Sequence, residues 1–510
     1  AKHDYRIYRL DRPMLPNEER VFTCETQLWA RGFRNSQPNT RIVENGTFLS
    51  ELQLMPVIGV DEIAMLKDPA TRRKYGLPDT AREPKLEDLA ATGRPGWGRG
   101  WARADVTIST SADQTPIAPG NKVSDVTRGD RRIARFVSGA PIHPRFAIQS
   151  ARYAEKHRRY RGIDLAVYYH RDHPWNVDRM LDAMQASLDY DQRNFGPYQF
   201  DHFHIVEFPA FHDFAQAFAG TIAYSESVGF TEDYRQPETM DMVLGMIAHE
   251  LSHQWWAHQV IGADMEGRAM LSETLAQYSA QMVIDKVHGA DHVRRYLRGA
   301  LDGYLWGRAR AEDRETPLAR VSGDHHILYD KGALVMYLMR ERLGEEAVNR
   351  ALRTLLTRYK FKGAPYPRSL DFIDALRAEA KTVEDQNLIT DLFERITLYD
   401  LKVTQPSAVQ RADGKWEVTV PIEAKKFYAD GNGNETETPL SDHIEVGLFT
   451  EEPKRDSFGS KDVVLMQRPP IHSGRQVLKF VTDKKPTYAG IDPFHIYIDR
   501  TAGDNVMAVN

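Results

Sequence analysis

Cysteine is nearly absent: 510 residues carry one, Cys24. A lone cysteine excludes an intrachain disulfide and any cysteine-based metal site, and leaves both cytoplasm and periplasm open. Long apolar runs are also missing, and none approaches the roughly 20 residues of a membrane span. The sequence opens on Ala1 with no secretory signal pattern, so it reads as an excised or processed piece of something longer. Charge of one sign is not in excess. Lys and Arg number 67 against 72 Asp and Glu, a net charge of −5 spread along the chain, which gives no footing for nucleic-acid binding. With 41% hydrophobic and 27% charged residues the composition is that of an ordinary globular protein, and the length suggests two to four domains.

Proline is absent from Glu238 to Gln259, whose one internal glycine is Gly245. Met242, Met246, Ile247 and Leu251 fall at the spacing of a mostly buried helix. That helix carries His249-Glu250-Leu251-Ser252-His253, the H-E-x-x-H pattern of a zinc peptidase. Residues four apart share a helical face, so His249 and His253 aim at one point. A catalytic zinc ion takes three protein ligands and leaves a fourth position open. Glu273, 20 positions after His253 and at the start of a second helical stretch, is the best candidate for the third ligand. Two histidines that merely face core or solvent remain the bland alternative. Buried imidazoles and a carboxylate need partners, however, and a metal supplies one.

The flanking regions have different periods. Residues 1–165 look rich in strands, among them Tyr5–Leu10, Val21–Thr26, Ala104–Ser109 and Arg145–Gln149, with a turn at Asn45-Gly46. Residues 66–100 read as a helical insertion and loop. Ile163–Tyr169 is a further strand, and helical spacing begins with Val177, Met180, Leu181, Met184 and Leu188, ending at Phe195-Gly196-Pro197. Strands at His204–Phe208 and Thr221–Tyr224 precede the histidine helix. Helices are expected over 291–311, 325–342, 345–359, 369–380 and 385–398. Strands then return at Trp416–Ile422, His443–Phe449 and Val477–Val481, with a hairpin or loop over 425–440 whose spacing is not that of a calcium loop. The resulting expectation is a multidomain α+β chain: a β-sandwich over 1–165, a mainly helical catalytic domain over 166–400 and a second β-sandwich over 401–510.

His249–Trp256, Ser272-Glu273-Thr274-Leu275-Ala276-Gln277-Tyr278 and Tyr329-Asp330-Lys331-Gly332 together resemble, in order, the motifs of the aminopeptidase N family of zinc gluzincins. Ala217–Ser227 is similar to one branch, bacterial peptidase domains fused behind an ABC-transporter-type permease segment. The resemblance implies a thermolysin-like catalytic domain, one Zn2+ on His249, His253 and Glu273, and peptide substrates with a free N-terminus. It also implies a tether to a permease segment outside this sequence, hence a periplasmic or membrane-tethered location, with the cytoplasm still open. Glu250 is implied as general base towards a metal-activated water, and Tyr329 as hydrogen-bond donor to the developing oxyanion, with a core tyrosine as the alternative for Tyr329. Tyr278 is expected beside the ligands, His258 in a structural role, and His325 and His326 either along the cleft or at a helix start.

Two departures from the family stand out. Its Gly-x-Met-Glu-Asn motif, which supplies the carboxylate that grips the substrate amine, is missing. Glu226, 23 positions before His249, is the candidate substitute, against the alternative of a solvent-facing glutamate at a strand end. The 19 residues between His253 and Glu273 are one more than the family usually has and equal the thermolysin count. These departures keep two other readings open, a zinc endopeptidase and a peptide-sensing module with little hydrolysis.

Overall fold

The computed structural model describes residues 7–15, 18–29, 41–57, 66, 69–77, 83–96, 100–209, 213–233, 240–311, 313–454 and 458–510. Sheets come first, helices dominate the middle and sheets return at the end, a multidomain α+β arrangement. Among the described residues no helix is long and apolar enough to cross a membrane.

The N-terminal part holds two small sheets. One runs in the order Ile42–Val43, Gly46–Ser50, Ala147–Ala151, Thr115–Ile117, and the other Asp105–Ser111, Arg131–Val137, Asn121–Arg128. The first two strands form a hairpin in which Val43 pairs with Gly46. The two sheets meet over Ile108, Ala118, Ala134 and Phe136, with Ile148 packed against them. The strands expected at Tyr5–Leu10 and Val21–Thr26 do not form among the described residues, Tyr5 and Arg6 lying outside them. Val21 is 97% exposed and Phe22 60%. Their alternation supplies a face, but no strand among the described residues takes their backbone groups, and an unpaired strand is not stable by itself.

The central sheet has the order Ala215–Phe218, Thr221–Ser225, His202–Phe208, Ile163–Tyr169, Ala154–Tyr160. Its three middle strands are parallel and its two edges antiparallel. A boundary at residue 165 therefore cuts a strand in two. Ile163–Tyr169 is buried almost throughout, as its near-continuous apolar run requires for a strand covered on both faces. Helix Val177–Phe195 covers the sheet and ends at Gly196, whose φ of 98° suits a residue without Cβ. Its Met180, Leu181, Met184 and Leu188 belong to the same core as Val243, Leu244, Ile247 and Leu251 of helix Met242–Ser252.

Helices Glu273–His288, Ala290–Arg310, Gly332–Leu343, Glu345–Tyr359, Ser369–Glu379 and Val383–Ile389 follow. The stretch expected to be helical over 385–398 stops earlier, because strand Ile396–Val403 pairs along its whole length with residues Ile422–Ala429 of strand Trp416–Ala429. The latter strand centres the five-stranded C-terminal sheet, and a four-stranded sheet, ordered Val463–Gln467, Val446–Phe449, Tyr488–Ile491, Val506–Ala508, completes the region. The largest apolar core runs without interruption from the central helices into these sheets.

Helix Val177–Phe195 carries an acid into that core. Asp191 is 0% exposed, and its Oδ2 accepts a 2.8 Å hydrogen bond from Ser252 Oγ on the histidine helix. Burial lifts its carboxyl to about 8. A folded-state value above the unfolded one, about 3.9, means that the folded chain binds the extra proton between them. This contribution to stability is complete below about pH 4 and is lost as pH rises through about 8. Asp191→Asn, which keeps an acceptor for Ser252 without the charge, should flatten the fall of Tm between pH 5 and 9 and exceed the parent in Tm above pH 8 in scanning calorimetry.

Candidate metal centre

Helix Met242–Ser252 starts at Asp241, whose carboxylate accepts from Leu244 N–H at 3.1 Å and pairs with Arg179 (3.2 Å) and His288 (3.0 Å). The cap fixes the register, and the buried apolar residues fix which face turns inward. His249 and Glu250 lie in the last turn, and His253 follows as the residue closing it. Glu273 is the first residue of helix Glu273–His288, which packs beside the histidine helix.

Three donor atoms converge between these helices. His249 Nε2 and His253 Nε2 are 3.2 Å apart, and each lies 3.4 Å from Glu273 Oε2. A tetrahedral ion with ligand bonds of about 2.0–2.1 Å needs donors roughly 3.3–3.4 Å apart. The triangle therefore fits such an ion with little rearrangement. Both imidazoles are held from behind. His249 Nδ1 meets Gln277 Oε1 at 3.0 Å, and His253 Nδ1 meets the Trp256 carbonyl at 3.0 Å. An acceptor at Nδ1 keeps the proton there and leaves the Nε2 lone pair for a metal. The Trp256 carbonyl precedes Ala257, whose φ of 150° is strained for a residue with Cβ. Gln277 in turn donates to Tyr296 Oη at 2.7 Å.

Glu250 is buried and accepts a 2.7 Å hydrogen bond from Ala217 N–H of edge strand Ala215–Phe218. Burial raises its carboxyl above the ordinary range, against the pull of His249 and His253. Burial acts on Glu273 in the same sense, but the two imidazoles hold it well below the usual carboxylate range. Tyr329 lies in the wide turn His326–Lys331 and donates to Glu273 Oε2 at 2.6 Å. Its ring stacks on His325 with centroids 4.5 Å apart and tilts against His249 at 5.5 Å. Gly332 closes that turn, and a Cβ there would come within 2.8 Å of Thr274 Cγ2. Thr274 Oγ1 also donates to the Leu328 carbonyl at 2.8 Å, so the Thr274 side chain links the helix carrying Glu273 to the backbone of the turn carrying Tyr329.

His249, His253, Glu273, Glu250 and Tyr329 are thus brought together. Glu226 stands elsewhere, at the end of strand Thr221–Ser225 with His173 and Glu207. Tyr278 turns away from the three donors and bonds Asn349 at 3.3 Å. His258 is buried, and burial pushes it down to about 3. Of the paired histidines, His325 reaches the site through Tyr329, whereas His326 stacks on Tyr304. Sequence reasoning missed Gln277, the Trp256 carbonyl and Ala217 N–H. Gln277 had a legible signal, one helical turn after Glu273 and on its face, whereas the two backbone groups had none.

Residues 179–395 match the peptidase family M1 domain. The chain is 22% identical over 262 residues to probable aminopeptidase 2 of Sulfurisphaera tokodaii, covering 50% of this chain and 32% of that protein. It is 22% identical over 209 residues to endoplasmic reticulum aminopeptidase 1 of Rattus norvegicus, covering 39% and 22% respectively. Endoplasmic reticulum aminopeptidase 2 of Homo sapiens is similar at 22% over 211 residues, 40% of this chain and 22% of that one. The chain spans less than a third of the length of these curated relatives.

Removing the acceptor behind His249 should loosen metal binding without touching a donor. Gln277→Ala is expected to weaken metal affinity about 10- to 100-fold, read by competition with a chromophoric chelator, while Gln277→Glu, which restores an acceptor, should recover most of the loss.

Proposed function

We propose that this chain, which carries a peptidase family M1 domain over residues 179–395, is a zinc-dependent metallopeptidase that hydrolyses peptides, releasing residues from a free N-terminus. The observation that carries the proposal is the triangle of His249, His253 and Glu273 donors, with edges of 3.2, 3.4 and 3.4 Å, beside a buried Glu250. Zinc bound there supplies Lewis acidity, acidifying a water and polarising the scissile carbonyl.

The chain's own groups do the rest. Glu250, steadied by Ala217 N–H, takes the proton from the attacking water and delivers it to the leaving amine. Tyr329 turns its hydroxyl from Glu273 to the oxyanion and stabilises the charge that develops there. Strand Ala215–Phe218 is the edge of its sheet, so a peptide can lie along it in extended form next to Glu250.

Two readings of the substrate end differ. Release of N-terminal residues is supported by the names of the relatives, all aminopeptidases, and requires a carboxylate for the amine, for which Glu226 is the candidate. Internal cleavage is favoured by the company Glu226 keeps. Ile222 is the strand partner of Ala217, and Glu226 lies four residues beyond it, roughly 13 Å of extended chain. An aminoacyl amide with a free amine should be cleaved faster than its N-acetylated form; preference for the blocked form would replace the first reading with the second.

Glu250→Gln should retain zinc at one equivalent in this centre and lose hydrolysis by a factor of about 10²–10⁴. Tyr329→Phe should lower kcat by about 10²–10³ with a smaller change in KM. Undiminished hydrolysis in a zinc-loaded Glu250→Gln chain would exclude Glu250 as the general base, whereas a zinc-loaded parent without measurable hydrolysis would leave a peptide-sensing role.

A further inference from the structure

Strands Ile163–Tyr169, His202–Phe208 and Thr221–Ser225 run parallel, so all three end on the same side of the central sheet. The carboxyl ends of parallel strands are where open α/β sheets collect ligands. Here each strand end on that side contributes one metal-binding side chain. His173 lies between the first strand and helix Val177–Phe195, Glu207 is the penultimate residue of the second strand, and Glu226 follows the third directly. One ligand atom from each lies within 4.8 Å of the others. We propose that His173, Glu207 and Glu226 form a second divalent-cation site, distinct from the centre at His249, that braces this end of the sheet.

The geometry is that of a site with its central ligand already anchored. Glu207 is 5% exposed and cannot swing into solvent. Its Oε2 accepts from His170 N–H at 2.6 Å, and its Oε1 meets His173 Nδ1 at 2.5 Å. Glu226 faces it, and its charge disfavours ionisation of Glu207, on top of the larger effect of burial. A dication balances the charge of the two carboxylates and uses all three groups. One imidazole with two carboxylates is a donor set for a first-row dication of the zinc type. Glu226 is half-buried at the rim of the same cleft. Water can complete the coordination from a cleft of about 60 Å³ that Glu207, Glu226 and His170 help to line.

The brace has a route to the other centre. Ser225, next to Glu226, donates its N–H to the Phe214 carbonyl at 3.0 Å, and Tyr224 pairs with Ala215. These bonds hold the edge strand whose Ala217 N–H contacts Glu250. A cation on Glu226 therefore fixes the strand that positions the general base.

Zinc per chain, measured by plasma mass spectrometry after dialysis against low micromolar zinc, decides the matter. The parent should bind two equivalents and the His249→Ala/His253→Ala chain one. In that double variant zinc should still raise Tm, and adding His173→Ala should abolish both the bound metal and the rise. Glu226→Gln, a change of nearly equal size at a half-buried position, should weaken the second equivalent at least tenfold. A double variant that binds no zinc would reduce His173 and Glu207 to an ordinary hydrogen-bonded pair and overturn the proposal, and if the parent then binds one equivalent the His249 centre stands alone. Retention of the second equivalent after both His173→Ala and Glu226→Gln would equally overturn it.

Discussion

Four ionisable side chains converge between apolar helices, and the architecture around them follows from that. A buried polar group left without a partner costs about 1–3 kcal/mol, and a charged one more. His249, Glu250, His253 and Glu273 escape this cost only by meeting one another and a ring of supporting acceptors and donors. Gln277, the Trp256 carbonyl, Ala217 N–H and Tyr329 each answer one of them. The capped helix start at Asp241, the strained backbone at Ala257 and the glycine at 332 all serve to keep those partners in reach.

The site was legible in proportion to how local its signals are. His249, Glu250 and His253 share one helix, so their spacing alone announces a common face. Glu273 needed only the start of a second helix. Glu226 shows where this stops: its distance in sequence from His249 is that of a family motif, but a strand register decides where a side chain stands, and a register is not written in a residue count. The edge strand that does touch Glu250 is a short run, Ala215–Phe218, with no ionisable residue to attract notice.

The fold was legible on similar terms. Helices with strong period, such as Val177–Phe195 and Glu345–Tyr359, stand where their spacing puts them. Strands were recognised less well because a strand is defined by its neighbour. Val21–Thr26 alternates and pairs with nothing among the described residues, whereas Ile163–Tyr169 hardly alternates and occupies the interior of a sheet. The same strand explains why a domain boundary drawn at residue 165 by composition runs through a continuous sheet.

The absence of a side chain at Gly332 has a mechanical consequence. With nothing between its backbone and Thr274, the segment bearing Tyr329 and the helix bearing Glu273 behave as one block. The histidine helix is tied to the same helix through His249 and Gln277, and to the edge strand through Glu250. The acidic donor and the phenol therefore share one mounting. A shift of that helix would carry both together, so the hydroxyl stays in register with the carboxylate.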